Sequence, residues 1–329
     1  MNIKQYKNLN ICVVGAGSWG MNHVRTLFEL GVLAGIVEQD KEAVQSLKIA
    51  YPDCIIDTEL TDALDRNYDG FIVATPPASH FEIGKKIILS NKPLLIEKPL
   101  TLNLNDAIEL NNLAKRQKVN LMVGHLLLFH PAFKKMAELI ESGLLGQIQY
   151  IYSNRLNLGT FRSDENVFWS FAPHDISLFQ YFFKNSPSKV NSSGIDILQK
   201  GIHDTTITSF HYEKRRMGHI FVSWLHPFKE HRFVLVGSEG MIHFEDSSTN
   251  KPLLFYDKKV QISNDELIPK IGVTKSIDYK KEFPLTNEIK YFLKHLDGKN
   301  IEIANGDSAV EVIKILEQAT FSLRKNTNE

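Results

Sequence analysis

A chain of 329 residues is too long for one small core and suits two domains of ordinary size. With 43% hydrophobic and 23% charged residues and a formal net charge of zero, it has no general electrostatic pull on nucleic acid or an anionic membrane, so any anion must be gripped locally. Its start, Met1 to Asn10, leads only into a short apolar strand, and no apolar run reaches the length of a membrane span; a cytoplasmic protein is expected.

From Asn10 short apolar runs alternate with amphipathic stretches: Ile11–Val14 then Met21–Leu30, Leu33–Val37 then Lys41–Ile49, Phe71–Ala74 then Phe81–Leu89. Leu94–Ile96, the helical Leu104–Gln117 and Leu121–Val123 continue this strand-and-crossover rhythm, which predicts a doubly wound parallel sheet of the Rossmann kind over residues 1–124. Cys12 and Cys54 fall in or beside such apolar segments and are expected to be small buried hydrophobes.

Beyond residue 125 the rhythm changes. A helix at Pro131–Ser142 precedes a strand over Ile148–Asn157, an irregular stretch to Asn166 and a helix near His174–Phe183. Thr205–Tyr212, His219–Leu225, Arg232–Val236 and Met241–Phe244 are then short and β-branched or aromatic, with turns expected at Lys214–Met217, Pro227–Glu230 and Ser238–Gly240, which predicts an open, mostly antiparallel sheet in a C-terminal α/β domain. Helices at Asn287–Leu296 and Ser308–Arg324 close the chain. Asp307 is expected to cap the second, which is expected to pack back on the first domain, and Lys325–Glu329 to fray.

Gly15-Ala16-Gly17-Ser18-Trp19-Gly20 follows the first strand and opens a helix. Gly15 allows the tight turn, Gly17 brings backbone amides to a pyrophosphate, Gly20 permits close helix–strand packing, and Ser18 and Trp19 complete a dinucleotide-binding loop. Glu38, ending the second strand, suits the two ribose hydroxyls of an adenosine. Neither Gln39 nor Asp40 offers a cation for a 2′-phosphate, so NAD is expected rather than NADP.

Thr75-Pro76-Pro77-Ala78-Ser79-His80 follows one strand and Glu97-Lys98-Pro99-Leu100 the next. Together with the glycine loop these motifs resemble the Gfo/Idh/MocA oxidoreductases. The resemblance implies that Thr75, Pro76, Pro77 and His80 line the cofactor cleft, that Glu97 and His125 lie near the nicotinamide, and that Lys98 meets the reacting hydroxyl. In Trp169-Ser170-Phe171-Ala172-Pro173-His174-Asp175 it implies a catalytic His174. Ser170 stands where the family often has an aspartate, and a serine is no base at neutral pH. Lys98 and His174 remain the catalytic pair, either one serving as the base; a free lysine titrates near pH 10.4, so as a base Lys98 would need a desolvated, electropositive setting.

The stretch Ser153-Asn154-Arg155-Leu156-Asn157-Leu158-Gly159-Thr160-Phe161-Arg162 and the nearby Asn166 resemble the subgroup that oxidises UDP-amino sugars at the 3-position. Arg155, Asn157, Arg162, Asn166, His174 and Asp175 are accordingly expected at the substrate, two arginines suiting a pyrophosphate. Arg155 and Arg162 could instead pair with Asp164 or Glu165. The resemblance implies UDP-N-acetylglucosamine, with its uronate or a free polyol such as inositol as alternatives, a 3-keto product for an aminotransferase that uses pyridoxal phosphate in surface-polysaccharide or lipid A synthesis, and a homodimer or homotetramer. A non-catalytic NAD-binding regulator is the reading from another class. Histidines 203, 211, 219, 226, 231 and 243 fall on successive strands and turns without metal-ligand spacing and are expected at solvated or interface positions, with no metal.

Overall fold

The structure, a computed structural model, describes residues 6, 8–159 and 161–326. Thr160 and residues 327–329 of the expected frayed end therefore lie outside the described residues. The chain divides into two units, one running to Leu126 and resuming over Phe283–Ile313, the other spanning Leu127–Glu282 and resuming at Lys314.

In the first unit, β1 (Ile11–Val14), β2 (Leu33–Val37), β3 (Ile55–Asp57), β4 (Gly70–Val73), β5 (Leu94–Ile96) and β6 (Leu121–Val123) form one parallel sheet in the order β3-β2-β1-β4-β5-β6. In such sheets ligands bind beyond the carboxyl ends of the strands, where the strand order reverses, here at β1 and β4. β1, β4, β5 and β6 are buried throughout, as continuous apolar runs must be when both faces of a sheet are covered. The crossover α1 (Gly20–Leu30) buries Gly20, His23, Val24, Leu27 and Leu30, a helical spacing, and ends at Gly31 in the left-handed region. α2 (Lys41–Ala50) is capped by Asp40, whose carboxylate accepts from the Ala43 amide at 2.8 Å, and α5 (Leu104–Gln117) by Asn103. β3 and the adjoining α3 (Leu60–Leu64) are additions to the elements expected from sequence, too short for a periodicity to register. α4 (His80–Leu89) connects β4 to β5.

Two further helices bear on this unit. α8 (Pro284–Leu293) packs against α1, and α9 (Gly306–Asn326) starts in the first unit and ends in the second. Asp307 is not the cap of α9. Asn305 Oδ1 accepts from the Ser308 amide at 2.9 Å, and Asp307 sits inside the first turn, bound by Asn111 at 2.8 Å and by Lys115.

The second unit contains α6 (Pro131–Glu141), α7 (Val167–Phe183) and an eight-stranded sheet. Its strands are β7 (Ile148–Leu156), β8 (Lys189–Ile195), β9 (Thr205–Tyr212), β10 (Arg216–Ser223), β11 (Glu230–Gly237), β12 (Met241–Glu245), β13 (Leu253–Ser263) and β14 (Glu266–Ser276), in the order β14-β13-β12-β11-β7-β10-β9-β8. β7 and β10 pair parallel and every other neighbour antiparallel. β8, β13 and β14 were not among the expected strands. The first hairpin turn is also tighter than expected, with Lys214 and Arg215 at positive φ and Arg216 already in β10.

α7 starts at Val167, well before the expected His174. Proline inside a helix removes a hydrogen bond, yet α7 carries Pro173 and buries Val167, Phe168, Ala172, Ile176, Phe179 and Phe183. Burial of that many large side chains, each contributing about 1.5–3 kcal/mol, outweighs one lost bond. Phe179 meets Phe183, Phe210 and Phe233 edge-on, so the core of this unit lies between α7 and the sheet. No helix among the described residues is long and apolar enough to cross a membrane.

Candidate active site

The glycine loop spans the end of β1 and the start of α1. Gly15 has φ 90°, and a side chain on Gly20 would fall 2.0 Å from the Gly15 carbonyl oxygen, so both positions require glycine. Gly17, Ser18 and Trp19 are exposed, and a β-carbon on Gly17 would enter open space. That is the cradle a pyrophosphate needs, above a helix N-terminus with free amides.

Glu38 closes this cradle from β2. Its Oε2 accepts from the Ala16 amide at 2.8 Å, and its Oε1 from the Gln39 and Asp40 amides at 2.8 and 3.0 Å. The carboxylate is thus held against the glycine loop before any ligand arrives, with lone pairs remaining for two ribose hydroxyls. The residues fit NAD. Glu38→Ala is expected to weaken NAD about tenfold to a hundredfold, the range of a lost charge-assisted bond pair, and to narrow the gap to NADP by removing repulsion of the 2′-phosphate. Titration of both dinucleotides into wild type and variant checks this, and a wild type that preferred NADP would overturn it.

At the carboxyl end of β4, Pro76 is exposed and Thr75 and Pro77 are half-buried. His80 is not a cleft-lining surface but wholly buried: Nδ1 contacts the Pro99 carbonyl at 2.8 Å and Nε2 the Thr75 carbonyl at 2.9 Å, tying the two motifs together. Burial lowers its pKa, against the pull of those two carbonyls.

Glu97, at the end of β5, is the most constrained group of this unit. Trp19 Nε1 donates to Oε1 at 2.5 Å, His23 Nε2 meets the same oxygen at 2.7 Å, and the Lys98 amide donates to Oε2 at 3.2 Å. Burial pushes this carboxyl up, but the bonds from His23, Trp19 and Lys98 prevail and hold it below its ordinary range. Lys98 itself is half-buried and precedes a cis peptide bond to Pro99. His125 is buried, and its pKa falls to about 4 through burial, Glu97 opposing and Lys98 reinforcing the shift. Glu97, Lys98 and His125 therefore share one electrostatic neighbourhood.

Sequence reasoning missed two members of this group. His23 reads as one more buried position of an amphipathic helix; the signal was its i+4 spacing from Trp19 beside the loop. Gly124 gives the Glu97 carboxylate its room, since a β-carbon there would lie 2.8 Å from Oε2.

In the second unit, β7 presents Ser153 and Arg155 to α7. Asp175 on α7 has no exposed side-chain surface; it accepts from Ser153 Oγ at 2.6 Å and pairs with Arg155. Arg155 is therefore held by Asp175 rather than by Asp164 or Glu165. Arg162 is exposed and lies 3.8 Å from Glu165, a distance and setting worth little energy. Asn166 caps α7 by accepting from the Phe168 and Trp169 amides at 3.0 and 3.1 Å. Asn157 is half-buried just past β7, and His174 is half-buried on α7, one turn beyond the buried Ser170.

The histidines of the meander do not share one environment. His203 is buried beside Asp204, so of the solvated or interface positions expected the solvated one does not apply to it, and burial lowers its pKa. His219 stacks on Tyr152 at 5.2 Å and bonds Tyr150. No group of three His, Cys, Asp or Glu residues among those described could hold a metal ion.

Comparison with known proteins gives this geometry its relatives. The family described as oxidoreductases with an NAD-binding Rossmann fold, GFO_IDH_MocA, matches residues 9–125, and the GFO/IDH/MocA C-terminal domain matches residues 133–243. The UDP-N-acetylglucosamine 3-dehydrogenase of Acidithiobacillus ferrooxidans is 26% identical over 189 residues, 56% of this chain and 57% of its own length. The inositol 2-dehydrogenase of Mycolicibacterium smegmatis is 26% identical over 192 residues, 56% and 55% of the two chains. This chain thus spans little more than half the length of those relatives. A solved UDP-N-acetylglucosamine 3-dehydrogenase from A. ferrooxidans superimposes with a TM-score of 0.84 at 20% identity, over 96% of this chain and 98% of that one. The WlbA dehydrogenase of Bordetella pertussis, solved with NADH and UDP-GlcNAcA, gives 0.78 at 18% identity over 97% of both chains. At these identities the structural likeness is one of fold.

Proposed function

We propose that this chain, which belongs to the GFO/IDH/MocA oxidoreductase family and carries its NAD-binding Rossmann domain, oxidises the 3-hydroxyl of a UDP-amino sugar, UDP-N-acetylglucosamine foremost, to the 3-keto sugar. The observation that carries the reaction class is Glu97 with Lys98: an anchored carboxylate beside a half-buried lysine, at the carboxyl edge of the NAD-binding sheet. Support for the substrate comes from the two UDP-sugar proteins among the similar ones and from Arg155, whose guanidinium keeps donors beyond the bond to Asp175 for an anionic ligand.

When bound, NAD supplies the hydride acceptor. The exposed loop at Gly17 would hold its pyrophosphate and Glu38 its adenosine ribose. Lys98 Nζ would take the 3-hydroxyl proton while hydride leaves the same carbon, so that one O–H and one C–H bond break as the C=O forms. His174 is the second proton-handling group; with the roles exchanged, His174 takes the proton and Lys98 stabilises the alkoxide. A ketone at this position is what an aminotransferase using pyridoxal phosphate consumes, so we place the reaction in the cytoplasm, ahead of a 3-amino sugar of surface polysaccharide or lipid A.

Inositol is the second reading, favoured by the inositol 2-dehydrogenase at the same identity. NADH formation is compared for UDP-N-acetylglucosamine, its uronate and free inositol, each with an aminotransferase drawing off ketone. Activity on the first is expected. Activity confined to the uronate keeps the reaction and changes the sugar, activity confined to inositol removes the nucleotide-sugar reading, and no turnover on any favours an NAD-binding regulator.

We also propose a homodimer or homotetramer. The ribbon of β13 and β14 pairs Val260 with Pro269 and Ile262 with Leu267 on one face, and Val260, Ile262, Leu267, Ile271 and Val273 are at least 60% exposed. Contiguous apolar surface of this kind marks an association site. Light scattering should give two or four chain masses, and a monomer at micromolar concentration would refute the contact.

A further inference from the structure

Glu288 lies on α8 with a fully buried side chain, and neither carboxyl oxygen has a hydrogen-bond partner among the described residues. Burial and the negative charge of Glu97 both push its pKa well above the ordinary carboxylate range, which favours the protonated acid, with one O–H to donate. α8 packs on α1. On α1, His23 is equally buried, binds Glu97 through Nε2 and has no partner at Nδ1 among the described residues.

These two orphaned groups are complementary. The Glu97 carboxylate accepts only, so the bond between them takes a proton on His23 Nε2, and in that tautomer Nδ1 is an acceptor. Glu288 offers the missing donor from the helix packed against it. Leaving either group unsatisfied costs about 1–3 kcal/mol, and buried waters commonly bridge such groups.

We propose that Glu288 is a positioning residue whose carboxyl O–H reaches Nδ1 of His23 through one buried water, fixing the orientation of the ring that holds the Glu97 carboxylate beside Lys98. It touches neither cofactor nor substrate. Its consequence for turnover rests on the proposed roles of Glu97 and Lys98; the hydrogen-bond chain itself does not.

The test compares the full-length wild type with E288Q, which keeps a donor, and E288L, which has none. Infrared difference spectra between wild type and E288Q should show loss of one protonated-carboxyl C=O stretch at neutral pH. Nitrogen-15 spectra of labelled histidine should show His23 Nδ1 as a hydrogen-bonded acceptor in wild type and E288Q, and shifted to the position of an unbonded acceptor in E288L. Turnover should stay within about threefold in E288Q and fall about tenfold or more in E288L with unchanged KM, as expected when a supporting contact is lost. A protonated-carboxyl band that survives in E288Q, or a His23 Nδ1 resonance unmoved in E288L, would overturn the proposal. Both spectra are read without substrate. If they come out as expected while no sugar is oxidised, the chain from Glu288 to Glu97 stands and the dehydrogenase reading fails.

Discussion

Lys98→Met is expected to lower turnover by about two to four orders of magnitude, the contribution of one positioned acid or base, while NAD affinity stays within a few-fold. The separation follows from the geometry. The proposed cofactor contacts are the Gly17 cradle and the Glu38 carboxylate, and the Lys98 backbone amide donates to Glu97. Methionine retains that amide and most of the apolar stem, so the Glu97 cluster should survive. Steady-state kinetics with the best sugar nucleotide, alongside NAD titration, reads both quantities. His174→Asn should also reduce turnover, by less if Lys98 is the base and by more if the roles are exchanged. Near-normal rates in Lys98→Met would dispose of the proton-transfer scheme, and a collapse of NAD binding would mean that the variant had disturbed Glu97 instead.

The first unit was largely legible because its signals are local. Four-residue apolar runs, the glycine spacing and an acid about twenty residues on are each readable in a short window, and the Ala16 amide bound to Glu38 shows loop and acid meeting as read. What the window could not show was convergence. His23 and Glu97 are separated by 74 positions yet meet at 2.7 Å, and Glu288 comes from a helix that follows the eight-stranded sheet in the chain. Glu97 stood out by its motif and His23 by its spacing from Trp19, but neither signal showed that the two meet, and nothing beside Glu288 distinguishes it from an ordinary helix residue.

The second unit was read less well, and for different reasons. β8 has the sequence Lys-Val-Asn-Ser-Ser-Gly-Ile, poor in the residues that favour strands, and forms as an edge strand through its ladder to β9. β13 and β14 mix charged with apolar residues, and a register shift between Tyr256 and Lys258 interrupts their pairing. A usable signal was present at the turn. Asn264 and Asp265 both have positive φ, the requirement of a two-residue hairpin loop, and both residue types tolerate it. The substrate stretch shows the opposite limit: the expected residues are where the spacing puts them, but Asn166 is spent on capping α7 and Asp175 on holding Arg155, uses that residue type alone does not distinguish from ligand contact.

Acid should destabilise both units well before carboxylates titrate. Burial holds His125 in the first unit, and His130 and His231 in the second, at about 4. Nearby cations reinforce the shift, Lys98 at His125, Lys251 and Lys281 at His130, and Arg155 and Lys229 at His231, while Glu97, Asp246 and Glu245 oppose it. A histidine whose folded pKa is depressed contributes stability that is complete above its unfolded value of about 6.5 and is lost as pH falls toward the folded one, because the unfolded chain takes up protons that the folded chain refuses. At pH 5 the gap for the fully buried His125 is about 1.5 pH units, or ~2 kcal/mol; His130 and His231, partly accessible, contribute less each. Set against a usual stability of about 5–15 kcal/mol, that loss should bring the unfolding midpoint down steeply between pH 6.5 and 4.5 while leaving it nearly flat from 8 to 7. Calorimetry across that range measures the slope, and His125→Gln, which cannot take up a proton, should make it shallower. A midpoint that does not change from pH 7 to pH 5 would mean that these rings are already protonated in the folded protein, or hydrated enough to titrate normally.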